Sequence, residues 1–156
     1  LLKVYRWQGE IENSFVDSMA PHGFAIEVGA VPQGVLRADL FLQTEALIYH
    51  LLDFIDKENS GDHPELESTL EIYDHDVLVD YPRDEEGDIV AMVHQERQDK
   101  DFTLIKEGDP LFLTLENETI TYEGEERYTI FINEAAYYEK GFAMTLANKR
   151  VVEIES

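Results

Sequence analysis

Residues 59–64 read NSGDHP and separate two parts of the chain that have different patterns. Gly and Pro interrupt regular structure, and Asn, Ser and Asp favour turns, so this cluster predicts a linker or a domain boundary. The length of 156 residues suits one domain, or one domain with a piece of another. We therefore assign residues 1–60 and residues 61–156 to separate domains.

The part before the boundary predicts the tail of an α/β domain. Residues 36–58 repeat apolar side chains at three- and four-residue spacing, which predicts a helix, and residues 2–7 alternate like a short strand. Residues 23–29 (GFAIEVG) are apolar on both faces, which favours a buried, parallel strand, and residues 31–34 predict a loop. One strand, loop and helix cannot cover both faces of a parallel sheet, so a larger domain is expected.

The part after the boundary predicts a small antiparallel sheet or barrel. Short β-rich runs alternate with turns that contain Gly, Asp and Glu, and such spacing is typical of β-rich domains. Strands are predicted near residues 67–78, 89–93, 110–115 and 128–132, with turns at 84–87, 107–110 and 122–125. A last strand is expected at residues 143–146 or 150–154.

Composition excludes several classes of protein. The chain has 34 Asp and Glu against 12 Lys and Arg, a net charge of -22, which would repel nucleic acid and anionic membranes. A hydrophobic fraction of 44% is too high for a disordered acidic chain. Zero Cys excludes disulfides and thiolate zinc sites and permits a reducing compartment, so we expect the cytoplasm. The longest apolar stretch, residues 46–55, is too short for a membrane span.

Two residues could carry chemistry. Glu27 lies inside the apolar run 24–28, where partial desolvation would raise its pKa toward the range useful for proton transfer. The alternatives are a solvent-facing carboxylate at a strand end, or one paired with Arg37. Tyr137 could hydrogen-bond a substrate carboxylate or a developing oxyanion, or it could simply pack with its hydroxyl at the surface.

A metal site built from this chain alone is not expected. None of the five His stands at His-Glu-x-x-His spacing, and the neighbours of His75, both Asp, alternate faces on a strand. Residues 80–88 (DYPRDEEGD) fail the EF-hand calcium pattern, because Pro82 and Glu85 stand where an oxygen ligand and a Gly are needed. A solvated hairpin turn is the better interpretation of that segment.

Four segments resemble the aspartoacylase and succinylglutamate desuccinylase family, in the same order. They are residues 29–39 (GAVPQGVLRAD), 80–84 (DYPRD), 108–115 (GDPLFLTL) and 133–140 (NEAAYYEK). The resemblance implies a zinc-dependent amidohydrolase that cleaves N-acyl amino acids, typically N-acetyl-aspartate to acetate and aspartate. It also implies a carboxypeptidase-like α/β domain followed by a β-rich C-terminal domain, as the patterns above predict.

The resemblance also implies roles for individual residues. Glu27 matches the general base, which takes a proton from zinc-bound water and passes it to the leaving amine. Tyr137 matches a tyrosine that contacts substrate, and Phe131 an aromatic residue that lines the pocket. Glu134 matches a buried acid that orders the loop bearing Tyr137. Arg37 belongs to a family motif, and we expect it to do structural work by pairing with a carboxylate or capping the loop before the helix.

The sequence departs from the family in two ways. The zinc ligands, two His and a Glu, belong to the N-terminal half of such enzymes and are not in this chain, which looks like the C-terminal half of a longer protein that binds one zinc ion. Asp17 stands where animal aspartoacylases carry an Arg that holds a substrate carboxylate. The partners expected are a small N-acyl amino acid and the missing half, and a homo-oligomer stays open. The alternative is a stand-alone, acidic, metal-free binding or regulatory domain.

Overall fold

The computed structural model describes residues 2–6, 26, 31–62 and 69–153. The chain divides into two compact units, Leu1–Gly9 with Glu67–Ser156, and Glu10–Leu66. The predicted strand at residues 23–29 lies outside the described residues, apart from Ile26.

The described part of the smaller unit contains a long helix, α1, which spans Ala38–Ser60. A turn at residues 33–34 precedes it, as predicted. The helix ends at Gly61, whose left-handed backbone (φ 79°) lets its N–H reach the carbonyl of Glu58. The predicted helix is confirmed, shifted by two residues at each end.

No residue of α1 is buried, although the helix is rich in large apolar side chains. Phe41 is 67% exposed and Leu52 is 56% exposed, for example. Among the described residues, no helix is both long enough and apolar enough to cross a membrane. The exposed apolar side chains of α1 are Phe41, Leu42, Leu47, Ile48, Tyr49, Leu52, Phe54 and Ile55.

In the described residues, the larger unit is built from two β-sheets. A five-stranded sheet has the order β1-β2-β8-β7-β4, in which only β1 and β2 are parallel, and a three-stranded antiparallel sheet has the order β3-β5-β6. The strands in the described residues are β1 Leu2–Arg6, β2 Thr69–Asp80, β3 Ala91–Val93, β4 Thr103–Ile105, β5 Pro110–Thr114, β6 Thr119–Thr121, β7 Arg127–Ile130 and β8 Phe142–Glu153. The predicted β-rich C-terminal domain is confirmed.

Strand β1 belongs to the β-rich unit, although the sequence patterns placed residues 1–60 in the α/β part. It pairs with β2 in parallel, from Leu2 opposite Leu70 to Arg6 opposite Asp74. Strand β1 covers the edge of β2 opposite β8, where backbone groups would otherwise be unpaired. The Arg6 guanidinium also donates to the Asp74 carboxylate at 2.6 Å, which stabilises this register.

The main core lies between the two sheets. Apolar side chains from β3, β4 and β5 contact those of β8 and of the segment after β7. A second cluster surrounds Tyr73, which makes edge-to-face contacts with Phe102 and Tyr128. Residues buried in the main core are Ala91, Ile105, Leu111, Phe112, Ile132, Ala143, Met144 and Leu146. This shared core fixes the segment after β7, which carries several of the predicted site residues.

The strands differ from the sequence-based expectations in specific places. The two alternatives for the last strand belong to one strand, β8, which spans residues 143–146 and 150–153, and residue 154 lies outside the described residues. Strand β7 ends at Ile130 rather than residue 132, because the next residue, Phe131, has a left-handed backbone. Strands β4 and β6 were not predicted, since three residues each are too few to show alternation. Strand β3 is as short, but it lies in the longer apolar run at residues 89–93, which was the signal for it.

The segment 80–88 forms the predicted hairpin turn. The Asp84 carboxylate accepts the backbone N–H of Glu86 and of Asp88, at 3.1 and 2.8 Å. Arg83 donates to the carbonyl of Gly87 at 2.6 Å, and Gly87 has a positive φ of 91° that suits the turn.

Candidate functional site

The segment that follows β7 has an unusual backbone. We call residues 131–142 the aromatic loop. Phe131 and Asn133 have positive φ angles of 55° and 53°, and Ile132 between them is buried in the main core. A non-glycine residue in this region costs about 1–3 kcal/mol and persists only where the surroundings fix it. Such strain is concentrated at functional sites, so the aromatic loop is the first candidate.

Hydrogen bonds hold the start of the aromatic loop. The Asn133 N–H donates to the Ala143 carbonyl at 2.7 Å. The Tyr81 hydroxyl donates to Oδ1 of Asn133 at 2.6 Å, and Nδ2 of Asn133 donates to Oε1 of Gln98 at 2.9 Å. The Ile132 N–H also lies 3.4 Å from a carboxylate oxygen of Asp101, which accepts it. The strained turn is therefore tied to three other segments of the same unit.

A short 3-10 helix, Ala135–Lys140, presents Tyr137. The Tyr137 ring stacks on Phe142 at 4.4 Å between centroids, and meets Phe131 edge-to-face at 5.9 Å. The Lys140 ammonium lies 5.8 Å from the centroid of the Tyr137 ring, within the range of a cation–π contact. Two rings and one cation therefore fix the ring of Tyr137 on this loop.

Tyr5, which contacts Phe131 of the aromatic loop, forms hydrogen bonds with His75 and Thr145. The Tyr5 hydroxyl lies 2.9 Å from Nδ1 of His75 and also bonds the Thr145 side chain. Burial raises the pKa of Tyr5 above its ordinary value, Thr145 opposes that rise, and the Tyr137 phenol adds to it. Burial lowers the pKa of His75, against the opposing charge of Asp76. Both side chains are therefore held in their neutral forms near pH 7.

The other predicted residues have different surroundings. Glu27, the proposed base, and Asp17 lie outside the described residues. Arg37 forms an ion pair with Asp39 at the start of α1, which lowers the pKa of the Asp39 carboxyl. Glu134 is exposed, whereas the resemblance implies a buried acid. It lies at the turn into the 3-10 helix, and there its carbonyl accepts the Tyr137 N–H at 3.0 Å.

Sequence reasoning missed Asn133, Tyr5 and His75. Asn133 lies in the segment 133–140 that resembles the family. The available signal was its residue type, because Asn tolerates a left-handed backbone better than most residues. Tyr5 and His75 are 70 positions apart, and the parallel pairing of β1 with β2 that joins them has no short-range signal.

The described residues do not supply a metal site. Within residues 2–6, 26, 31–62 and 69–153, no three His, Cys, Asp or Glu side chains converge on one point that could hold an ion.

An open groove of about 590 Å³ lies at the start of α1, and its lining is mostly apolar. Its walls include Val31, Val35, Leu36, Leu40 and Phe41.

The two sheets packed around a shared core define the class of this domain, which is a β-rich domain with a core between its sheets. Residues 68–149 match the family model described as the AstE/AspA barrel-sandwich hybrid domain. The chain therefore belongs to the AstE/AspA family.

Curated relatives agree with that assignment. The chain is 47% identical to a probable aspartoacylase of Acaryochloris marina, over 99% of this chain and 53% of the relative. It is 43% identical to the human N-acyl-aromatic-L-amino acid amidohydrolase (carboxylate-forming), over 94% of this chain and 46% of the relative. The aspartoacylase of Xenopus tropicalis is 47% identical over 85% of this chain and 42% of its own length.

A solved structure shows the same fold. The crystal structure of murine aminoacylase 3 superposes with a TM-score of 0.81 and 37% identity, and covers 96% of this chain and 50% of that chain. The chain thus spans about half the length of the curated relatives it matches.

Proposed function

We propose that this chain is the C-terminal half of an amidohydrolase that cleaves N-acyl amino acids. The observation that carries the proposal is the ring of Tyr137, fixed between Phe131 and Phe142 on a strained loop. It occurs in a domain whose relatives are named aspartoacylases and N-acyl-aromatic amino acid amidohydrolases. A phenol held in one orientation can recognise a carboxylate or an oxyanion without first losing rotational freedom.

The exposed surface of α1 supports the proposal that another half is missing. A helix with several large apolar side chains and no buried residue is typical of an element that packs against a further layer. The apolar groove beside Leu36 and Phe41 belongs to the same surface. The relatives are about twice as long as this chain, so a preceding half has the length to provide that layer.

Three residues of this chain carry the chemistry in our proposal. Glu27 takes a proton from the attacking water while the oxygen of that water bonds to the acyl carbon. Glu27 then gives the proton to the amine as the C–N bond breaks. Tyr137 hydrogen-bonds the carboxylate of the substrate or the developing oxyanion. Phe131 forms a wall of the pocket and keeps the Tyr137 ring in place.

One zinc ion is expected in the complete enzyme, but the described residues do not fit a zinc site. They bring no three potential ligands together, and zinc in catalytic sites takes three protein ligands. Our proposal assigns the ion to the N-terminal half, which would supply the two His and the Glu that the family resemblance implies. The role of this chain is then to supply the base, the phenol and the aromatic wall.

N-acetyl-aspartate is the substrate to test first, with an N-acetyl aromatic amino acid beside it. An acid at position 17, where the animal enzymes carry an Arg, would repel the second carboxylate of N-acetyl-aspartate. The human relative is named for aromatic substrates, and the rings of Phe131 and Tyr137 offer apolar contact. The comparison of the two substrates therefore tests the part of the site that binds the amino acid, which is the leaving group.

The deciding experiment measures amine release by the full-length gene product and by its Glu27→Gln variant. We expect hydrolysis by the parent and a loss of about 10²–10⁴-fold in kcat for the variant, because the amide cannot accept the proton. The swap is nearly isosteric, so circular dichroism and thermal unfolding should match those of the parent. Turnover within a few-fold of the parent would show that Glu27 is not the base. A parent that releases no amine from either substrate would favour the binding-domain alternative.

A further inference from the structure

We propose that Asn133 is a positioning residue, which orients Tyr137 by holding the aromatic loop in its left-handed turn. The proposal rests on the role of Tyr137 in substrate binding. Asn133 does not touch the reacting atoms in this proposal, and its effect passes through the backbone to the ring of Tyr137.

The backbone of the loop gives the first argument. Asn133 has a φ of 53° and Phe131 a φ of 55°, with Ile132 buried between them. Asn is among the residues that tolerate this region best, whereas an aromatic residue there is unusual. Since the core fixes Ile132, a change of backbone angle at Asn133 is transmitted forward, to the residues of the 3-10 helix.

The side chain of Asn133 gives the second argument. It accepts from the Tyr81 hydroxyl and donates to Gln98, so both ends of its amide are used. Tyr81 directly follows β2 and its ring lies 6.2 Å from Phe112 of the main core. Gln98 lies in the turn after β3. Because the hydrogen bonds of this exposed side chain join three segments, the side chain fixes the geometry of the loop and does more than keep the surface soluble.

The path from Asn133 to the ring of Tyr137 is short. Glu134 follows Asn133 directly, and its carbonyl accepts the Tyr137 N–H at 3.0 Å. The Gly141 N–H donates to the Tyr137 carbonyl at 3.1 Å and closes the turn. On the other side of Asn133, Phe131 contacts the Tyr137 ring edge-to-face. The backbone conformation at Asn133 therefore sets where the ring of Tyr137 lies relative to Phe131, which precedes the fixed Ile132.

Two substitutions separate the backbone from the side chain. Asn133→Gly keeps easy access to the left-handed turn but removes both side-chain hydrogen bonds, whereas Asn133→Ala removes the bonds and also strains the turn. In the full-length protein we expect kcat/KM to fall by up to about 100-fold in the Ala variant, mostly through KM, and by less in the Gly variant.

The chain offers a matched control at Asn117. It also has a positive φ, of 68°, and lies in the turn between β5 and β6. Asn117→Ala introduces the same strain without touching Tyr81, Gln98 or Tyr137. We expect both Ala variants to lose thermal stability, Asn133→Ala the more because it also loses two side-chain hydrogen bonds, and unchanged KM and kcat only in Asn117→Ala.

A double-mutant cycle tests whether Asn133 acts through Tyr137. In a Tyr137→Phe background the effect of Asn133→Ala on KM should shrink to about twofold or less, because the phenol that it positions is gone. If the full effect persists in that background, the proposal is wrong. If Tyr137→Phe alone leaves KM and kcat unchanged in an active parent, the substrate role of Tyr137 fails.

A fluorine label gives a readout that does not depend on hydrolysis. With 3-fluorotyrosine placed at position 137 of the full-length protein, we expect one narrow ¹⁹F resonance in the parent and in Asn117→Ala. The Asn133→Ala spectrum should show a shifted or broadened signal, since the ring then samples more orientations. An inactive parent would overturn the proposed function while this spectrum still tests Asn133. A spectrum identical to that of the parent would overturn the positioning role.

Discussion

The ring of Tyr5 stands edge-on to the ring of Phe131, with 4.9 Å between centroids and 82° between planes. Tyr5 comes from β1, the edge strand of the large sheet, and Phe131 from the strained start of the aromatic loop. The contact connects the first strand of this chain to the residues that we propose for substrate binding. It gives β1 a role beyond completing the sheet, because the Tyr5 ring supports Phe131, which we propose as one wall of the site.

The hydroxyl and the ring of Tyr5 can be tested separately. Tyr5→Phe keeps the edge-on contact with Phe131 but removes the bonds to His75 and Thr145, so we expect a loss of about 1 kcal/mol in unfolding free energy. Tyr5→Ala also removes the ring, and about 3 kcal/mol or more should be lost, with a higher KM. Urea unfolding and steady-state kinetics measure the two effects. Equal losses in both variants would show that the ring contact contributes nothing.

Protonation of His75 should make the protein less stable in mild acid. Burial lowers the pKa of His75 below its ordinary value of 6.5, so the unfolded chain binds a proton more readily than the folded one. Stability is then unaffected above pH 6.5 and falls as the pH drops from 6.5 through the lowered folded pKa. Tyr5 and Asp76 are the neighbouring ionisable groups that define this environment.

Thermal unfolding between pH 7 and pH 5 checks that expectation. His75→Asn cannot gain the proton, so its melting temperature should change less across this range than that of the parent. The exposed His50 of α1 provides the control, and His50→Asn should keep the pH dependence of the parent. Parallel curves for the parent and His75→Asn would contradict the assignment.

The ion pair of Glu71 with Lys149 should set part of the stability at lower pH. Lys149 holds the pKa of the Glu71 carboxyl below its ordinary value of 4.5, and the ammonium also lies over the rings of Tyr73 and Tyr128. A depressed carboxyl pKa contributes stability that is present above pH 4.5 and is lost as the pH falls through the folded value. Glu71→Gln should therefore flatten the acid limb of the stability curve. The exposed Glu118, substituted in the same way, should leave that limb unchanged.

Sequence patterns located the elements well where the signal was local. The helix, the turn at residues 84–87 and the strands with five or more residues all had periodicity or turn chemistry. The site was harder, since its geometry depends on long-range contacts. Tyr137 was a candidate from its phenol and Phe131 was named through the family resemblance, but the left-handed turn at Asn133 and the Tyr5–His75 bond arise from tertiary packing. The burial of Glu134 stays a prediction for the complete protein, and in this half its side chain is exposed.

We expect the N-terminal half to pack on the exposed apolar side chains of α1. The two halves of the full-length protein should therefore recombine after separate expression. Expressed alone, this chain should bind a hydrophobic dye such as ANS, because side chains such as Phe41 and Leu52 are exposed. Adding the N-terminal half of the full-length protein should suppress dye binding and restore amidohydrolase activity. Phe41→Asp should prevent recombination, since a charge buried without a partner is costly. Leu115 is 68% exposed against 67% for Phe41, but lies beside β5, so Leu115→Asp is the matched control that should still recombine. Recombination of the Phe41→Asp chain at the parent's affinity would show that α1 does not form the contact between the halves.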